Sequence, residues 1–351
     1  MINHDMKSCD KNYSLNEILK NYHQIKKQIL DDLKKNPNNI VNNLWFNYLS
    51  YDKTCQQNCF QCQTLPHLAK DIVVNTPFKI KTGQTLMLTQ TQVRPFLKWT
   101  NDQIKGDVFT IKILITYILE DILKHHHINL LNSYICNANG YLLYEVPTIN
   151  DELCHFDRLV EYKYTKEIVY GLLCQVIVLY EHLSKYHFSH GRPNASSFLF
   201  DNRKCDYTYN YKNKKYNIVC DYTLKLADVS YSSIKYNNVV LFPQNNVTGL
   251  LCNHFHHYKQ QDETYTVHLI DGLKHVLPRS IDLYLVILSM MKNDNFFNTV
   301  MENQNCYDVW KSLWNNQEGL VEQRLIDNDE QILKGVKLYV DPYQHLFNYI
   351  L

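Results

Sequence analysis

The residues best suited to chemistry in this chain gather in one stretch, 186–230, where His190, Arg192, Ser197 and Asp228 sit in or beside turn-rich segments. Asp228 ends a short apolar run, so its carboxylate could hold one cation or simply cap a turn. Arg192 offers only donors; its guanidinium pairs with phosphate or carboxylate but accepts no proton, and cannot serve as a general base. Ser197 supplies a neutral hydroxyl, a weak ligand for a hard cation. A second group, Cys55, Cys59 and Cys62 with His67 downstream, carries the ligand types that zinc prefers. Its spacing is irregular and lacks a second clean pair, so loosely packed free thiols are the competing reading. Cys252, His254, His256 and His257 form a further patch of a kind common on polar loops.

The elements that must position these residues are legible from periodicity. Behind Thr165, a good helix cap, Ile168, Leu172, Val176, Leu179 and Leu183 fall on one stripe and deliver the chain to His190. The apolar triplets 198–200 and 224–226 flank a tyrosine-rich insertion, in which Tyr207, Tyr209 and Tyr211 alternate before a turn at 212–215 and a return through Tyr216 and Ile218. That pattern predicts two neighbouring strands joined by a hairpin. Asp282 opens an apolar helix over 280–291. Upstream, the capping box at Ser14 and Glu17 starts a helix that Asn36 and Pro37 break, and 41–51 reads as a second helical segment. Segments 78–80 and 86–88 predict a hairpin around Gly83, and 96–98 a third strand. An Ile- and Leu-rich helix over 107–124 ends in His125, His126 and His127, read as a solvated helix end, and 133–136 with 141–145 forms a second hairpin. Residues 151–162 suggest a short helix, 231–259 an irregular polar segment, and 296–314 and 331–351 further helices.

The chain has 351 residues and a formal charge of +1, enough length for a two-lobed core with an extension and no charge excess pointing to nucleic acid or an anionic membrane. Its opening is polar, unlike a signal peptide, and no apolar run approaches membrane-spanning length. Many of the 11 cysteines lie inside apolar patterns, where a thiol acts as a small hydrophobe, so a reducing intracellular or cytoplasmic setting is expected. With 27 tyrosines and only 9 glycines, the chain is poorly supplied for a glycine-rich phosphate cradle.

Order and spacing together resemble the protein-kinase fold from about residue 77 onward, and in particular divergent kinase-like proteins of large DNA viruses. Phe188-Ser189-His190-Gly191-Arg192 and Lys225-Leu226-Ala227-Asp228-Val229-Ser230 fill the frame of the family's catalytic loop and metal-binding motif. The resemblance implies an α+β, bilobal architecture: an extension over 1–76, a small β-rich lobe over 77–147 and a helical lobe over 148–351. It places Arg192 where the catalytic Asp belongs, Ser197 where a metal-binding Asn belongs, and Asp228 on the remaining magnesium ligand. It makes Asp282 the residue that supports the loop backbone, Lys98 the phosphate-pairing lysine and Glu145 the start of the hinge. Glu120 lies about a turn late to pair with Lys98.

Each departure has a consequence. Without a proton acceptor, positioned base catalysis worth on the order of 10²–10⁴ in rate is lost. Pro147 falls where a backbone N–H would bond an adenine ring, and proline has none. The leading expectation is therefore a pseudokinase that binds a protein partner, with ATP and magnesium as optional ligands. An active atypical kinase is the alternative, with Asp201 and Asp206 the nearest acids after the loop, although both should lie away from the cleft. A zinc-stabilised adaptor is the third reading.

Overall fold

The computed structural model describes residues 15–43, 50–52, 74–79, 84–94, 96–136, 139–148, 153–156, 165–191, 193–244, 257–261, 264–268, 281–313, 337–339 and 342–350. The chain opens with helices α1 (Leu15–Lys35) and α2 (Pro37–Asn43), then a short strand β1 (Ser50–Asp52). That strand replaces the end of the helix expected over 41–51. Strands β2 (Pro77–Lys79) and β3 (Thr85–Gln92) form the first hairpin, followed by β4 (Leu97–Thr100) and β5 (Gln103–Gly106). Helix α3 (Val108–Leu123) is capped by Asp107, whose side chain accepts from the Thr110 amide. Strands β6 (Asn129–Cys136) and β7 (Asn139–Glu145) complete a five-stranded sheet in the order β1-β6-β7-β3-β2, with β1 parallel to β6.

Helix α4 (Lys166–Ser184) begins at Thr165, whose hydroxyl accepts from the Ile168 amide, and most of its side chains are buried. It is long and apolar enough to cross a membrane, but here it is the central core helix, with 72% of its apolar window inside the protein. Strands β8 (Phe198–Asp201) and β11 (Thr223–Leu226) pair antiparallel, Phe198 opposite Leu226, and the hairpin β9 (Cys205–Tyr211) with β10 (Lys214–Cys220) lies between them in sequence. Lys212 and Asn213 take positive φ at its tip, the geometry a tight two-residue turn demands.

Beyond Asp228, the segment expected to be irregular contains β12 (Ile234–Tyr236), β13 (Val239–Pro243) and β14 (His257–Gln261), the last paired with β15 (Thr264–His268). Strand β13 runs parallel to β5, giving a separate four-stranded sheet, β12-β13-β5-β4. Residues 234–236 pair locally with 239–241 across a turn at Asn237 and Asn238, and what the sequence hid is that 240–243 also pair with the distant β5. Helices α5 (Ile281–Met291), α6 (Asp294–Glu302) and α7 (Gln304–Leu313) follow. In the predicted C-terminal helix, 337–339 is instead a strand, β16 (Lys337–Tyr339), on the edge of β15, and α8 (Tyr343–Leu346) is one short turn. Of the segment 151–162, only 153–156 lie among the described residues: His155 bridges Leu199, and Phe156 enters a 3-10 turn.

His126 and His127, after α3, are not a solvated end, and the side chain of His125 lies outside the described residues. His127 has 0% exposure and bridges Leu226, while His126 Nδ1 lies 3.0 Å from the Leu224 carbonyl oxygen. Burial lowers the His127 pKa to about 3, so the ring is neutral. The turn is drawn inward because it must pass between α3 and β11.

Candidate functional site

The loop before β8 is held by backbone contacts that its sequence prepares. Gly191 has φ +76, and a Cβ there would collide with the Tyr231 carbonyl oxygen, so glycine is required. The His190 amide donates to Asp282 Oδ2 at 2.6 Å, and its carbonyl accepts from Ser232 Oγ at 3.1 Å. Ser189 and Ser233 exchange backbone hydrogen bonds of 2.9 and 2.8 Å, and the Ala195 amide donates to Ser289 Oγ at 3.0 Å. Helix α5 therefore grips the loop at Asp282 and Ser289. The Asn194 side chain caps the short turn that follows, accepting from the Ser197 amide at 3.0 Å. Ser197 in turn accepts at its carbonyl from the amides of Ala227, 2.8 Å, and Asp228, 3.3 Å. These bonds place Ser197 beside the exit of β11, bringing His190, Ser197, Asp228 and Asp282 into one neighbourhood.

Asp228 has an unforeseen partner. Lys112, on α3, places Nζ 3.5 Å from Asp228 Oδ1 and 3.0 Å from Ser230 Oγ. The same ammonium stands 5.8 Å from the centre of the Tyr144 ring, near enough for a cation–π contact. Ser230 also donates to Asp228 Oδ1, through its hydroxyl at 2.5 Å and its amide at 3.1 Å. Burial alone would raise the Asp228 pKa. The Lys112 charge, the Ser230 hydrogen bonds and His190 outweigh it and hold the carboxyl at about 2.

The sequence did carry a signal for Lys112. It is the lone charged side chain between Asp107 and Glu120 in a run of Ile, Leu, Phe and Tyr. A cation set in an otherwise apolar helix needs a reason.

Lys98 does not join this cluster. It sits exposed on β4, opposite Lys105 of β5, in the sheet built with β12 and β13. On the side of β7 away from β6 the paired strand is β3, Thr85-Leu86-Met87-Leu88-Thr89-Gln90-Thr91-Gln92, which has no lysine. Spacing along the chain mistook an inserted hairpin for the third strand of the main sheet. Glu120 is also engaged elsewhere: it accepts from Tyr22, from Lys26 Nζ at 2.9 Å and from the Leu130 amide at 2.6 Å. Its carboxylate ties α1 to α3, and burial raises its pKa against the opposing pull of Lys26.

Glu145 accepts from Gln84 Nε2 at 3.1 Å and Asn129 Nδ2 at 2.9 Å at the end of β7. The next amide, Val146, is spent on the Thr85 carbonyl at 3.0 Å, and Pro147 has no N–H. Asp201 is bound by Arg203, through Nε at 2.8 Å and the backbone amide at 3.0 Å. Arg192, Cys55, Cys59, Cys62, His67, Cys252, His254 and His256 lie outside the described residues, as does the side chain of His257. Among the described residues, no group of His, Cys, Asp and Glu is arranged to hold a metal.

The residues around Asp228 do not fit a magnesium site. Its carboxylate already faces an ammonium, and the Ser197 hydroxyl lies 3.3 Å from Asn194 Oδ1. A hard divalent cation needs several anionic or carbonyl oxygens, and here it would meet a positive charge instead.

No protein-family model matches the chain, and a search of curated proteins finds no match. Solved structures do show a likeness. The BubR1 kinase domain is 11% identical, with 75% of this chain and 73% of that one covered at a TM-score of 0.38. WaaP in complex with acyl carrier protein is 10% identical, covering 68% and 83% at 0.30. Titin kinase with its flanking domains is 11% identical, covering 46% and 27% at 0.28.

Proposed function

We propose that this chain is a degenerate protein-kinase fold, bilobal with an N-terminal extension, that works by binding a protein partner and does not transfer phosphate efficiently. The proposed boundaries are 1–76 for the extension, 77–147 for the small lobe and 148–351 for the helical lobe. The observation that carries the reading is the Lys112–Asp228–Ser230 cluster. It puts a cation beside the carboxylate that a kinase uses for magnesium, next to a loop that α5 holds at His190 and Ala195. The missing lysine on β3, the engaged Val146 amide and Pro147 support the same conclusion for the nucleotide cleft. The sequence adds Arg192 in the base position, where only donors are on offer.

Rearranged active chemistry is less well supported, because Asp201 is buried and committed to Arg203. The tyrosine-rich hairpin and the altered loop frame support kinship with the divergent kinase-like proteins of large DNA viruses. The described cysteines are free thiols, including the facing pair Cys205 and Cys220, which supports an intracellular setting. Stoichiometric zinc in purified protein would give Cys55, Cys59, Cys62 and His67 a structural role, and its absence would remove the adaptor reading.

The test is transfer from labelled ATP, to the protein itself and to generic protein substrates, beside an Asp228→Ala preparation. Equal background in both is the expected result. Transfer that Asp228→Ala abolishes would overturn the pseudokinase reading. A thermal-shift titration with ATP should give the same response with magnesium and with chelator, since Lys112 already pairs with Asp228.

A further inference from the structure

A cavity of about 500 Å³ opens between the C-terminal ends of α3 and α4 and strands β8, β9 and β11. That volume suits a small organic ligand. Val178 and Leu179 of α4 and Ile122 of α3 give it an apolar wall, and neither Lys112, Asp228 nor Ser230 lines it. It is therefore distinct from the cluster described above.

One polar side chain in this wall is poorly matched. Lys225 lines the cavity with its side chain only 10% exposed, and among the described residues its nearest carboxylate oxygen, Asp201 Oδ2, is 3.9 Å away. That is beyond hydrogen-bond reach, and Asp201 is already held more closely by Arg203. An ammonium carries three donors and is costly to keep from water without acceptors. Burial lowers the Lys225 pKa; the Asp201 charge opposes this and Arg203 adds to it. The rest of the lining has the same sign, since Lys124, Arg203, Lys204 and Lys225 face only Asp201 and Asp206 among carboxylates.

We propose that this cavity binds a small organic anion, an apolar or aromatic body bearing a carboxylate, with the body against Val178 and Leu179 and the carboxylate on Lys225. The anion supplies a closer acceptor than Asp201, which stands 3.9 Å from the ammonium, and a charge-assisted bond in such a site is stronger than a neutral one. The apolar wall selects for a hydrophobic body over a bare inorganic ion.

A matched pair of probes tests this on the full chain by calorimetry: 2-naphthoate and its neutral analogue 2-naphthylmethanol. Naphthoate is expected to bind at least tenfold more tightly than the alcohol. Lys225→Met should abolish that preference while leaving the alcohol's affinity unchanged. ATP should not displace naphthoate. In case Lys225→Met disturbs folding through Asp201, Thr208→Trp offers an independent check, because Thr208 is an exposed residue of the lining. It should block both probes with little change in the thermal unfolding midpoint. Equal affinity for the two probes, no binding at millimolar concentration, displacement by ATP, a preference that survives in folded Lys225→Met, or unchanged binding in Thr208→Trp would each overturn the proposal.

Discussion

Replacing Asp282 by Asn should make the protein less sensitive to rising pH. Asp282 is 2% exposed; Oδ2 holds the His190 amide, and Oδ1 has no hydrogen-bond partner among the described residues. Burial pushes its carboxyl from 3.8 up to about 7, with the His190 amide pulling it back only in part. The unfolded chain therefore releases this proton first. Stability due to the protonated acid is fully present below the unfolded value and is lost as pH rises through the folded one. A shift of about three units corresponds to ~4 kcal/mol in total, of which roughly 2–3 develops between pH 5 and pH 8. Asn keeps an acceptor for His190 and has no charge to bury. His127 acts in the opposite sense, since its lowered pKa costs stability as pH falls from 6.5 towards 3, but it is common to both proteins and cancels in their difference. Urea unfolding of the two proteins at pH 5, 6, 7 and 8 should show the gap moving in favour of Asp282→Asn by that amount. Parallel profiles, within about 0.5 kcal/mol across the range, would refute the reasoning, since a one-unit pKa change alone gives ~1.4 kcal/mol.

Three further outcomes are expected. Gly191→Ala should destabilise the protein by about 1–3 kcal/mol, read from denaturant midpoints, because it adds a Cβ at positive φ against Tyr231. Gln175→Leu should cost roughly 2–4 kcal/mol on the same assay: its side chain bonds the Tyr222 carbonyl and the Leu224 amide, both at 2.9 Å, and leucine satisfies neither. Lys112→Met should raise the Asp228 pKa from about 2, observed by carboxyl NMR titration, and shift acid unfolding to higher pH. The sign follows from the depressed pKa, whose contribution is present above 3.8 and is lost as pH falls through the folded value.

The sequence alone determined the elements whose order depends on local periodicity. The stripe from Ile168 to Leu183, the cap at Thr165, the triplets 198–200 and 224–226 and the tyrosine hairpin all follow from which positions must be apolar to be buried. Turn residues such as Lys212 and Asn213 fixed where the chain reverses. Tertiary structure alone decided which strands share a sheet and which charges meet. Nothing in residues 97–100 distinguishes an added hairpin from the third strand of the main sheet, because an extended segment has the same period whatever its partner. That ambiguity put Lys98 in the wrong place, and the parallel pairing of β5 with β13 resolved it. Lys112 reaches Asp228 across 116 residues of sequence, and Glu120 meets Tyr22 and Lys26 over similar spans. Such pairings depend on helix rotation and packing, which set the direction in which each side chain points. Burial did the rest: the sequence lists His127, Asp282 and Lys225 as ordinary ionisable residues, and only enclosure by the fold moved their pKa values.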